Sequence, residues 1–217
     1  MLKQSTYAAV EALLERYPAL AVCRGDLRAA VETICESFRG GKKLMTCGNG
    51  GSAADAEHIV GELMKGFLLP RPLSESMRTE MEHICPQEAD YFCRNLQGTL
   101  PAMSLVNQIA LNTAFANDQA PDLCFAQQIF GMGQAGDTLL AISTSGNSAN
   151  VLYAVQMARV KGVRTIALTG RSGGKIRKLA DICVCVPDDE TYRIQEYHLP
   201  VYHMLCIAAE NEFFGED

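Results

Sequence analysis

The sequence predicts an α/β protein, a three-layer, doubly wound sheet of five parallel strands preceded by a helical hairpin. Three observations carry this. From Leu44 onward, short apolar runs alternate with helical stretches. Those runs are continuously apolar, as strands buried on both faces require. Two of them end in small polar turns containing glycine, the place where such sheets bind ligands. With 217 residues the chain reads as one domain over 1–217.

The elements follow in order. Residues 3–16 place Tyr7, Val10, Leu13 and Leu14 at helical spacing, and Pro18 ends that helix. A second helix is expected from about Asp26, as N-cap, to Phe38, with Leu27, Ala30, Val31 and Ile34 on one stripe and Gly40-Gly41 after it. Together these fill 1–40 as a hairpin, whose apolar stripes are expected to meet another subunit. The strands are expected at Leu44–Cys47, Leu100–Leu105, Thr138–Ser143, Val163–Leu168 and Ile182–Val186. Helices are expected over Asn107–Ala116, Asn150–Val160 and Tyr192–Phe213. Residues 68–99 interrupt the alternation with Pro70-Arg71-Pro72, a charged stretch and Cys85-Pro86; they read as a helical excursion or a lid. His83, within it, reads as an exposed histidine on a solvated helix.

Composition excludes several classes. The net charge of −6 argues against broad nucleic-acid binding. No apolar run is long enough for a membrane span, and no signal-peptide core is recognisable. Nine cysteines, odd in number and without C-x-x-C, read as buried reduced thiols of a cytoplasmic protein.

Two stretches carry the chemistry. Gly48-Asn49-Gly50-Gly51-Ser52 joins a strand to a helix, so its amides and the helix dipole suit an anion, and Ser52 can cap the helix or bond a phosphate. On that helix His58 and Glu62 sit at i, i+4, on one face and over the mouth of the turn. Ser143-Thr144-Ser145-Gly146-Asn147-Ser148 packs four hydroxyls into six residues at a second strand end. One hydroxyl suffices for a cap; four around a glycine point to phosphate. Neither a P-loop nor a full G-x-G-x-x-G is present, because Ala53 stands where the third glycine would be. No nucleotide is expected; a sugar phosphate fits better.

These motifs, with Arg193-Ile194-Gln195-Glu196 and His198, resemble the sugar isomerase (SIS) domain family and, within it, the phosphoheptose isomerases. The resemblance implies a homotetramer with active sites at subunit interfaces. It also implies conversion of sedoheptulose 7-phosphate to D-glycero-D-manno-heptose 7-phosphate. It assigns Asn49, Gly50, Gly51, Ser52, Glu62, Gln195, Asn117 and Asp118 to the sugar, and Ser143, Thr144, Ser145 and Ser148 to its phosphate. Zinc would be held by His58, Glu62, Gln195 and His203, and Glu62 and His203 would move protons. The chemistry makes sense independently, since an enediol route needs a base near carbon, an acid near oxygen and something to stabilise the enediolate. Taken alone, His203 reads as a core histidine and His58 with Glu62 as a surface pair; only the joint pattern makes a site. On one straight helix, Gln195 and His203 lie about 12 Å apart along the axis. Two rival readings are a non-catalytic SIS regulator of the replication-initiator-associated type, which would lack the Glu62 and His203 equivalents, and an isomerase of another sugar phosphate.

Overall fold

In the computed structural model residues 2–216 are described. Five strands, β1 (Leu44–Cys47), β2 (Ala102–Ser104), β3 (Thr138–Ile142), β4 (Arg164–Thr169) and β5 (Ile182–Cys185), form one sheet in the order β2-β1-β3-β4-β5. Every pairing is parallel; Thr46 stands opposite Ser104 on one side and Leu140 on the other. The order reverses between β1 and β3, so their carboxyl ends flank the switch point expected to hold ligand.

Side-chain alternation sorts the core into two layers. Leu44, Leu140, Ile142, Ile166, Leu168 and Val184 face one layer, shared with helices α1 (Gln4–Arg16), α2 (Arg24–Arg39), α3 (Gly51–Met64) and α9 (Thr191–Phe214). Met45, Cys47, Leu139, Ala141 and Ala167 face the other, packed under α7 (Cys124–Met132) and α8 (Ala149–Val160). The leading hairpin is therefore not left for another subunit. Val10, Leu13, Leu27, Val31 and Ile34 are buried in the same layer as Val201, Tyr202 and Leu205 of α9. Asp26 does not cap α2; Cys23 holds the cap position and Asp26 lies within the first turn, where a carboxylate suits the helix dipole.

The segment 68–99 forms two short helices, α4 (Glu75–Ile84) and α5 (Ala89–Asn95). Ser74 caps α4 by accepting from the Met77 N–H (3.3 Å), and His83 is exposed on it as expected. After β2 come α6 (Ile109–Asp118) and then α7, which the sequence reading did not anticipate.

One ion pair locks the end of α3. Arg71 and Glu210 are both fully buried, with Arg71 Nε donating to Glu210 Oε1 (2.9 Å). Glu210 also accepts from the Phe67, Leu68 and Leu69 N–H groups (2.8, 2.7 and 3.1 Å). Arg71 donates onward to the carbonyls of Leu63 (2.7 Å) and Glu62 (3.1 Å), two of the carbonyls that the last turn of a helix leaves open. Its guanidinium lies 4.8 Å from the Phe214 ring centroid. Arg71→Met leaves Glu210 as an unpaired buried charge and is expected to cost about 3–5 kcal/mol. Urea unfolding checks this, as a lowered midpoint with unchanged slope.

Candidate active site

The first polar loop turns from β1 into α3. Gly50, at φ +56°, takes the cap position, and Ser52 is buried one residue inside the helix, so it is not the cap. The Gln195 amide of α9 packs directly over Gly51, in the space a side chain there would take. Asn49 and Asn150 exchange two amide hydrogen bonds (2.9 and 2.8 Å) and tie the first loop to the start of α8. Asn150 was not singled out from sequence.

The second loop, 143–148, runs from β3 to α8. Ser143 and Ser148 place their hydroxyl oxygens 3.2 Å apart, and Ser145 Oγ accepts from the Asn147 N–H (3.2 Å). Ser145 is exposed, and Thr144 and Ser148 are half-buried. A third turn, 170–175, props this loop from behind. Gly170 N–H donates to the Thr144 carbonyl (2.9 Å), Lys175 N–H to Asn147 Oδ1 (3.1 Å) and Ile176 N–H to the Gly146 carbonyl (3.0 Å). Gly146 has φ +62°, and a Cβ there would strike the Gly173 carbonyl. Sequence signals for this prop existed in Gly170-Arg171-Ser172-Gly173-Gly174 but carry no chemistry of their own.

The acid–base residues gather elsewhere. Helices α3 and α9 run side by side in one direction, Gly51 beneath Gln195 and His58 beside Tyr202. His58 Nδ1 lies 3.0 Å from the Tyr202 hydroxyl and its Nε2 3.3 Å from Glu62 Oε1. Lys65 Nζ donates to Glu62 Oε2 (2.9 Å). The His58 and His203 rings stand edge to face, centroids 5.0 Å apart, and Phe67 packs on His203. His203 Nε2 is buried with no hydrogen-bond partner, an arrangement that invites a ligand. A cavity of about 400 Å³ opens between α1 and α9, with Leu13, Tyr17, Phe67 and His203 in its wall.

Protonation follows from these contacts. Burial raises the Glu62 carboxyl, but the Lys65 ammonium and His58 outweigh it and hold the group below the usual carboxylate range. Burial, with the charge of His58, lowers His203 against the pull of Glu62, so the imidazole is neutral near pH 7.

The expectation that Glu62 stands over the glycine turn is corrected. Glu62 follows Gly51 by eleven residues, and at 1.5 Å per residue that is about 16 Å down the axis. Sharing a helix face fixes direction, not height. Gln195 likewise sits at the loop end of α9, and His203 lies about two turns further on, near the middle of the helix. Pro200, between them, removes one helical hydrogen bond. Hence His58, Glu62 and His203 come together, while Gln195 stays with Asn49–Ser52. Asn117 and Asp118 lie exposed at the end of α6, and the hydrogen bond their side chains make is to each other (2.8 Å). Among the described residues no three of His, Cys, Asp and Glu are placed to hold a metal ion. Of the four expected zinc ligands, His58, Glu62 and His203 gather at one end of the α3–α9 pair and Gln195 stands at the other.

The fold is a doubly wound α/β domain with two polar loops at its switch point, and comparison with known proteins gives its family. The SIS-domain family profile matches residues 7–91 and 78–170. The phosphoheptose isomerase of Akkermansia muciniphila is 36% identical over 203 residues, covering 94% of each chain. That of Thiobacillus denitrificans is 42% identical over 185 residues, covering 84% of this chain and 81% of the relative. Among solved structures, the phosphoheptose isomerase GmhA of Neisseria gonorrhoeae superposes with a TM-score of 0.72 at 32% identity, covering 94% and 95% of the two chains. The Francisella tularensis phosphoheptose isomerase gives a TM-score of 0.74 at 30% identity, covering 93% and 94%. The chain belongs to the SIS-domain family and, within it, to the phosphoheptose isomerases, and is a phosphosugar isomerase. No helix among the described residues is long and apolar enough to cross a membrane.

His198, beside this site on α9, is wholly buried, and a contact with the Thr169 backbone offsets only part of that burial. Burial lowers it to about 4. A histidine lowered on folding binds its proton in the unfolded chain first. Its contribution is therefore complete above about pH 6.5 and is lost as pH falls toward 4. The loss is expected to total roughly 3 kcal/mol, and His198→Leu should flatten that part of the stability–pH curve measured by denaturant unfolding.

Proposed function

We propose that this chain interconverts sedoheptulose 7-phosphate and D-glycero-D-manno-heptose 7-phosphate, with Glu62 and His203 moving the protons. The observation that carries this reading is the convergence of the Glu62 carboxylate with His58 and the unpartnered, neutral His203 at the end of α3. Glu62 takes the proton from C1 of the ketose, and His203 supplies one to the C2 oxygen, which gives an enediol. Return of the proton from Glu62 to C2, with the O1 proton passing back to His203, gives the aldose. Lys65 and His58 stabilise the carboxylate form of Glu62 that begins the cycle. Ser143, Thr144, Ser145 and Ser148 receive the phosphate, with the α8 dipole behind it.

The same reading calls for self-association. The loops and the acid–base end stand about 16 Å apart along α3, too far for one open-chain sugar phosphate in a single copy. A site made of one copy's loops and another copy's Glu62 end spans the substrate, and a homotetramer supplies such pairs. In that assembled site a second copy's Gln195 would join His58, Glu62 and His203 as zinc ligands. Zinc there would polarise the sugar oxygens.

Glu62→Gln is expected to abolish turnover while sugar phosphate still binds, as read by NMR interconversion and calorimetry. Ser145→Ala with Ser148→Ala should raise KM several-fold with little change in kcat; an unchanged KM places the phosphate elsewhere. Co-expressing these two variants tests the shared site. Mixed oligomers should regain activity at low substrate that neither variant has, and no regain confines the site to one copy.

A further inference from the structure

The sheet ends on β5, whose side chains carry thiols that the isomerisation does not use. Cys183 and Cys185 are two apart on the strand and so face the same side. Their sulfurs lie 3.6 Å apart, and both residues are half-buried. With Cys23, Asp26, Arg171 and Arg177 they line a cavity of about 300 Å³. We infer that Cys183 and Cys185 form a reversible disulfide when the protein meets a hydroperoxide, and that this modification loosens the loop that receives the sugar's phosphate.

The span permits the bond. Two residues of an extended strand separate their Cα atoms by about 6.6 Å, near the upper end of what a disulfide bridges. β5 pairs with β4 alone, so its free side lets the strand pucker as the sulfurs close. Cys23 is not the partner, because its thiol donates to the Cys185 carbonyl (3.0 Å) and burial pushes it up to about 11.

The chemistry balances with the peroxide as oxidant. The Cys185 sulfur attacks one peroxide oxygen, the O–O bond breaks, and water or an alcohol leaves with the thiol proton. The Cys183 sulfur then attacks the resulting sulfenic sulfur, the S–O bond breaks, and hydroxide leaves as water with the Cys183 proton. The two thiols lose two electrons and the peroxide gains them; a dithiol reductant reverses the result by exchange. Cys183 packs against the apolar layer under α7 and α8, and burial there raises its thiol; Cys185 stands outside that layer, so it takes the first attack and Cys183 resolves.

Coupling to the phosphate loop runs through packing. The Cys185 sulfur accepts from Thr169 Oγ1 (3.5 Å) and packs on Gly173, where an added Cβ would meet it at 3.0 Å. Gly173 and Gly174 in turn press on Ser145 and Gly146. Thr169 Oγ1 also lies 3.7 Å from the Cys183 sulfur, so moving the Cys185 sulfur toward Cys183 keeps it near Thr169 but withdraws it from Gly173 and removes part of that support.

The test uses the full-length protein treated with hydrogen peroxide, quenched with an alkylating agent and mapped by peptide mass. The expected result is an internal disulfide on the peptide carrying both cysteines, a several-fold rise in KM with kcat nearly unchanged, and recovery of both with dithiothreitol. Cys183→Ser should trap a sulfenic acid at Cys185 and keep its KM, and Cys23→Ser should still form the link. Free alkylation of both thiols after peroxide would overturn the site, and a link with unchanged KM would overturn the coupling. The KM arm rests on the proposed isomerisation, whereas the mass arm does not. A protein that forms the link without that activity supports the thiol site and sinks only the functional reading.

Discussion

A single buried carboxylate, Glu210, holds the acid–base end of this molecule in place. It accepts three consecutive backbone N–H groups and the Arg71 guanidinium, and no solvent reaches either charged group. An isolated charge there would cost several kcal/mol, so every partner must be present together. Arg71 carries the constraint back to the carbonyls of Glu62 and Leu63. The backbone beneath the proposed base is thus fixed by a group on α9, the helix that also carries His203. The relative placement of Glu62 and His203 follows from that closure rather than from any contact between the two side chains.

The loop end of the site is held differently. No buried charge fixes it; hydrogen bonds among backbone and small polar groups do. Asn49 and Asn150 bridge the first two loops, and the 170–175 turn props the second. Such a frame places amides and hydroxyls without filling the space an anion needs. It also leaves the 143–148 loop sensitive to what lies behind Gly173, which is where Cys185 and Arg177 pack.

Much of the fold was legible because periodicity reports burial on both faces. β1 was read to the residue, and β3, β4, β5 and α9 to within one residue at each end. Strand β2 came out shorter than the apolar run 100–105, because Leu100 N–H bonds the Leu63 carbonyl rather than a strand. Helix α7 was missed because its apolar stretch is only nine residues long and has no capping side chain. Arg71 and Glu210 were illegible, since each looks like an ordinary surface charge and they pair across 139 residues. The site residues His58, Glu62 and His203 were legible as types. The height of Glu62 along α3 was not, because a helical-face argument carries no axial information until the rise is counted, as it was for Gln195 and His203 on α9.

The distance between the two ends also bears on how a lowered carboxyl can serve as a base. Lys65, whose side chain is 57% exposed, contributes to holding Glu62 low, and water screens an ion pair of that exposure. A second copy covering this end would remove water from both groups. Burial, already the largest influence on Glu62 and opposed to the net shift, would then grow. If substrate also draws Lys65 away, the carboxyl rises toward the range in which a base at carbon works well. Covering the site and activating Glu62 are then one event, and an uncovered chain keeps Glu62 charged but weakly basic.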